Sequence, residues 1–129
     1  MSPTVSKIPS PSVSSEQSFM DLRVLVEYDQ KHKFFVAYCL QTGSVVTADD
    51  QDTAVDMIKE LLVDEVSYAI VHSNLRNLFA SPAPLEIWKK WSTNAAKHGS
   101  QREKVVIVAR ELRLDEPEME VNVARAAVA

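Results

Sequence analysis

The sequence predicts an α/β fold: a two-layer sandwich whose antiparallel sheet of three or four strands carries one long helix on one face. Three observations lead there. Leu22-Arg-Val-Leu-Val-Glu-Tyr28 and Phe34-Phe-Val-Ala-Tyr-Cys-Leu40 are apolar runs separated by the polar turn Asp29-Gln-Lys-His-Lys33. A third, short run follows at Gly43-Ser-Val-Val-Thr47. A long amphipathic stretch from Thr53 to about Ile70 then opens on Asp49, Asp50 and Asp52.

The first run alternates. Leu22, Val24, Val26 and Tyr28 share one face and Arg23, Glu27 and Asp29 the other, the period-2 pattern of a half-buried strand. In the second run Phe34, Val36, Tyr38 and Leu40 oppose Phe35, Ala37 and Cys39, so both faces are apolar. Such a strand belongs in the middle of a sheet or under a partner. The short polar connection makes the two an antiparallel hairpin. Gly43 supplies an unusual backbone angle at the next turn, before a short strand from Ser44 to Ala48.

The long helix begins where aspartates can accept from its free N–H groups and face the positive end of its dipole. Val55, Ile58, Leu62, Val66 and Ala69 recur every three or four residues and form one apolar stripe, while Lys59, Glu60, Asp64 and Glu65 fill the remaining surface. A second helical segment, about Ser73 to Phe79, stops before Ser81-Pro-Ala-Pro84, because proline cannot continue a helix. Pro84 suits the start of a third helix, Leu85 to about Lys97, which Gly99 ends. Lys104-Val-Val-Ile-Val-Ala-Arg110 reads as a strand continuing toward Leu114. Beyond it the signals conflict: Met119, Val121 and Val123 alternate, whereas Ala124 to Ala129 is helix-like in composition.

The resulting organisation is a Ser/Pro-rich tail over residues 1–18, one domain over 19–114 with a helical insertion at about 72–100, and an unassigned segment over 115–129. The tail holds 7 Ser and 3 Pro with little to bury, a composition that predicts a mobile arm. At 129 residues, the chain has room for a single core. No run approaches the length of a membrane helix and the first residues lack the apolar stretch of a secretory signal, so a cytoplasmic location is expected.

Composition also limits the chemistry. Cys39 is the single cysteine, which excludes an intrachain disulfide and a thiolate zinc cluster and marks Cys39 as a small buried hydrophobe. A net charge of −4 gives no general attraction to nucleic acid or anionic membranes. With only 2 glycines, far apart, there is no Gly-rich phosphate loop or dinucleotide fingerprint. His32, His72 and His98 fall in different elements, and no H-x-x-x-H, C-x-x-C or G-x-S-x-G occurs. Asp49, Asp50, Asp52 and Asp56 would need a carboxylate from the sheet to hold Mg²⁺, and Glu27 is the evident candidate; helix capping is the simpler role. No catalytic, cofactor or metal residue is expected.

Two groups of residues carry a binding expectation. Phe35, Trp88 and Trp91 are candidate contacts with a protein partner, Trp being enriched where interfaces concentrate their energy. At spacing i, i+3 the two indoles share one helix face, which is equally what a core helix needs. An exposed Trp88 changed to Ala would weaken association and leave the fold intact. Lys31 and Lys33 at the hairpin turn, with Lys104, are the alternative, as phosphate contacts of a small RNA- or DNA-binding or nuclease-like module.

Around these elements the chain resembles the HicB-like antitoxin family, whose small domains run β-β-β-α-β. The resemblance spans about residues 22–70, with a final strand near 104–112. It is carried by Gly43, Asp49, Asp52 and Ala54, the turn and the acidic-acidic-Ala opening of the helix, preceded by Phe35-Val-Ala-Tyr-Cys39. The family's Pro before the Gly is absent and its second Gly is Ala48. The segment from His72 to Ser100 is an elaboration, and no helix-turn-helix or ribbon-helix-helix module follows. The resemblance implies a non-enzymatic protein-binding domain that acts by protein–protein contact and self-association, as a dimer, with a small basic toxin-like protein as partner.

Overall fold

The computed structural model describes residues 20–106 and 118–126. Eight elements follow in order: β1 (Met20–Asp29), β2 (Phe34–Cys39), β3 (Val45–Ala48), α1 (Gln51–Val71), α2 (Leu75–Leu78), α3 (Leu85–His98), β4 (Gln101–Val106) and β5 (Glu118–Arg125). The class is the expected α/β. The sheet has five strands, in the order β3-β2-β1-β5-β4, and is mixed: β1 runs parallel to β5 and every other neighbour is antiparallel.

The strand pattern of the sequence explains the first half. β1 and β2 form the predicted hairpin, with Val24 opposite Cys39 and Asp29 opposite Phe34. Its turn is tied by Asp29, whose carboxylate accepts from the Lys31 and His32 amides at 3.0 and 3.1 Å. β3 pairs with β2 so that Phe35 faces Ala48 and Ala37 faces Val46. Leu22, Val24, Val26, Ala37, Cys39 and the β5 residues Met119, Val121 and Val123 then share one face. α1 lies on that face. Asp50 caps it, accepting from the Thr53 amide at 2.8 Å, and Ala54, Val55, Ile58, Leu62, Val66 and Ala69 are buried against the strands. Each large side chain so buried contributes roughly 1.5–3 kcal/mol gross, which makes α1 a core element.

Two layers become three because β2 is apolar on its second face as well and β1 adds Leu25 to that face. Leu25 and Leu40 are fully buried there, and α3 covers them with Ile87, Trp88 and Trp91. The chain changes faces at the β2–β3 corner. α2 and Phe79 close the first core, Ser81 and Pro82 pass beside Gly43, and the Ala83 amide donates to the Leu40 carbonyl at 2.9 Å. Gly43 has φ +76°, and a Cβ on it would overlap the Ser81 carbonyl oxygen, so both its angle and its neighbour require glycine.

The end of the chain departs most from expectation. β4 starts at Gln101, three residues before the predicted run, and the last strand is β5, placed between β1 and β4. The alternation of Met119, Val121 and Val123 decides the matter, because these side chains fill the α1 face beside Leu22 and Val24. The expected tail over 1–18 and the continuation of the 104–114 strand beyond Val106 lie outside the described residues. No described helix is long and apolar enough to cross a membrane.

Candidate interaction surface

α1 buries one stripe and presents another. Asp52, Asp56, Glu60 and Asp64 recur every four residues along its solvent side, and all four are exposed. Like charges at this spacing repel by about 0.2–0.5 kcal/mol per step, so the ridge is held by the buried stripe beneath it. Neutralisation is partial. Arg125 of β5 reaches Asp52 at 3.1 Å, and Lys59 lies 3.6 Å from Asp56. Lys59 is itself bound to Glu103 of β4 at 2.5 Å, and this hydrogen bond holds its ammonium above the usual lysine range.

Toward the helix C-terminus the ridge meets an apolar groove of about 390 Å³ lined by Tyr68, Ala69 and Leu78, with Asp64, Glu65, Asn74 and Asn77 at its margin. Tyr68 is 62% exposed and its ring lies against His72, centroids 4.1 Å apart. Val71, the last residue of the helix, is exposed too. Glu65 is fixed at the groove by the Ser44 hydroxyl, which donates to it at 2.5 Å. The groove thus combines an exposed aromatic ring, able to contribute apolar contact, with negative charge at its margin.

The residues singled out from sequence are placed as follows. Phe35 is half-buried on the α1 face and packs on Tyr28 with centroids 5.0 Å apart. Trp88 and Trp91 are half-buried between α3 and the sheet. The Trp88 indole donates to the Ala83 carbonyl at 3.1 Å and the Trp91 indole to the Asn122 carbonyl at 3.2 Å, with the Arg23 guanidinium 4.7 Å above the Trp91 ring. All three thus pack the fold, Phe35 in one layer and the tryptophans in the other.

The basic group does not converge. Lys31 and Lys33 stand at the β1–β2 turn, beyond Asp29, whereas Lys104 pairs with Glu120, itself the neighbour of Asp21 at the start of β1. The eight-residue run of β1 between those ends spans roughly 26 Å at about 3.3 Å per residue. The acidic step is likewise dispersed: Asp50 caps α1, Asp52 meets Arg125, and Glu27 lies on the α3 face, where Lys90 binds it at 3.2 Å. The carboxylate that a metal would require from the sheet therefore faces away from α1. Among the described residues no group of three His, Cys, Asp or Glu side chains is arranged to hold a metal ion. Cys39 is fully buried, and that burial pushes its thiol pKa up. His32 pairs with Asp29 at 3.0 Å and stacks on Phe34.

Sequence reasoning passed over Tyr68 and the ridge. The four-residue spacing of the acids was visible, but nothing local distinguishes a charged docking ridge from a solvated helix face. The groove beside the acids exists only once α2 has folded back beside α1. No family model, curated protein or solved structure matches this chain.

Proposed function

We propose that the chain is a non-enzymatic protein-binding domain of the HicB antitoxin-like kind, cytoplasmic, acting through contact with a basic protein partner and through self-association. The observation that carries this reading is the acidic ridge of Asp52, Asp56, Glu60 and Asp64 running into the groove beneath Tyr68. Charge along the ridge steers a basic partner and fixes its orientation, and the aromatic groove supplies apolar burial that charge alone does not. A small basic toxin-like protein fits these demands.

The test is an affinity pulldown from native lysate with light scattering on the eluate. Wild-type chain is expected to retain a small basic protein, released as salt rises from 0.1 to about 0.5 M. The triple variant Asp56→Lys, Glu60→Lys, Asp64→Lys and the single variant Tyr68→Ala each lose it while keeping the wild-type unfolding midpoint within a few degrees. A chain that retains nothing, or retains only RNA, overturns the reading and brings forward Lys31 and Lys33 at the hairpin turn.

A further inference from the structure

The two edges of the sheet are built differently. β4, the edge next to β5, carries Arg102, Glu103 and Lys104 in succession, the alternating charges that keep strands from pairing with strangers. β3, at the other edge, is Val45-Val-Thr-Ala48: β-branched, uncharged and free of proline. Among the described residues no strand pairs with its outer side. Such an edge is a ready template for another strand.

Hydrogen bonds fix which groups it offers. The Cys39 amide donates to the Ser44 carbonyl at 2.8 Å, so Ser44, Val46 and Ala48 turn their backbone groups toward β2 and Val45 and Thr47 turn theirs outward. The Val45 and Thr47 side chains are exposed, Val45 by 51%. Met57, the other large apolar residue at this margin, is 42% exposed on α1 and lines a shallow groove with Phe34, Thr47 and Ala48.

We infer that β3 pairs antiparallel with β3 of a second copy, joining two five-stranded sheets into one ten-stranded sheet across a two-fold axis at Val46. The register follows from the strand itself. Two copies related by an axis normal to the sheet keep each face matched only when opposed residues share parity. With Val46 on the axis, Val45 of each copy meets Thr47 of the other, and their four outward groups satisfy one another. The acidic step of one copy then falls beside Gly43 and Thr42 of the other, so no like charges are opposed across the ladder. The contact is isologous and closes at two copies, as a two-fold interface must. This inference deepens the self-association half of the proposed function and uses none of the ridge residues.

Light scattering on the purified chain, with paired charge variants, tests it. Wild type is expected to be a dimer at micromolar concentration. Val45→Lys with Thr47→Lys places lysines opposite lysines twice and should dissociate it at least a hundredfold. Val45→Glu with Thr47→Glu should do the same, and an equimolar mixture of the two variants should recover a dimer. Circular dichroism and thermal midpoints are compared to confirm that each variant folds, and a fold lost in both double variants moves the comparison to the single Thr47→Lys and Thr47→Glu chains. A wild-type monomer, a lysine variant that stays dimeric while folded, a mixture that fails to recombine, or an edge that accepts only a strand from another protein overturns the inference. A monomeric lysine variant that still captures the basic partner separates the two proposals, since the ridge is then intact without the edge.

Discussion

Gly43 and Gly99 share a positive φ, +76° and +77°, and differ in what surrounds them. A Cβ on Gly99 would meet nothing within 4 Å, whereas one on Gly43 would overlap the carbonyl of Ser81. Gly99→Ala is therefore expected to cost only the backbone term, about 1–2 kcal/mol. Gly43→Ala adds a displacement of the Ser81-Pro82 crossing and should cost at least about 1 kcal/mol more, measured by urea unfolding. Equal costs would place the crossing away from Gly43. Two aspartates, Asp50 exposed and Asp29 partly exposed, contribute to the acid behaviour. The Thr53 amide and hydroxyl hold the Asp50 carboxyl below its ordinary value, and His32 does the same for Asp29. A carboxylate whose folded pKa is depressed contributes stability above its unfolded pKa of about 4 and loses it as pH falls through the folded value. The thermal midpoint should thus fall between pH 5 and pH 3, and fall less in Asp50→Asn, which keeps a capping oxygen but no titration.

α3 illustrates how the same residues support opposite expectations. Trp88 and Trp91 occupy one helix face, and the sequence alone leaves open whether that face meets a partner or the sheet. The structure answers with two indole hydrogen bonds to backbone carbonyls and with Leu25 and Leu40 fully buried beneath. Trp88→Ala should consequently be read in stability, at about 2 kcal/mol, roughly half of what truncating a fully buried Trp costs. Leu85→Ala, at a residue 69% exposed on the same helix, should cost less than about 0.5 kcal/mol. A Trp88→Ala chain as stable as wild type would return Trp88 to the surface. Much of this architecture could be read in advance. The alternation of Leu22, Val24, Val26 and Tyr28 in β1, and the 3.6-residue stripe of α1 behind its aspartates, are local signals with one solution each. α3 was placed correctly along the chain but not in space, because the doubly apolar β2 permits a helix or another protein on its second face. β5 was the hardest, since alternation competes there with a run of alanines that favours helix, and only the parallel register to β1 settles the contest.

That register makes the whole molecule depend on its last strand. β5 lies between β1 and β4, and Met119, Val121 and Val123 are at most 1% exposed. Removing residues 115–129 strips β1 of its second neighbour and leaves β4 without a partner in the sheet. The truncated chain is expected to be unfolded at 25 °C by circular dichroism, with its apolar faces binding a hydrophobic dye. A cooperative transition in the truncated chain would show that β1, β2, β3 and α1 suffice as a unit. The ridge and the β3 edge, by contrast, are built wholly from residues before Val71, so a folded truncation would keep both surfaces.

The central position of β5 also orders events on the ribosome. Every other element emerges first, and until residue 118 is made the hairpin, α1 and α3 must wait around an unfilled slot beside Leu22 and Val24. The uncharged β3 edge is on display through the same interval, which makes the nascent chain a natural client for a chaperone that shields strands until synthesis delivers the keystone.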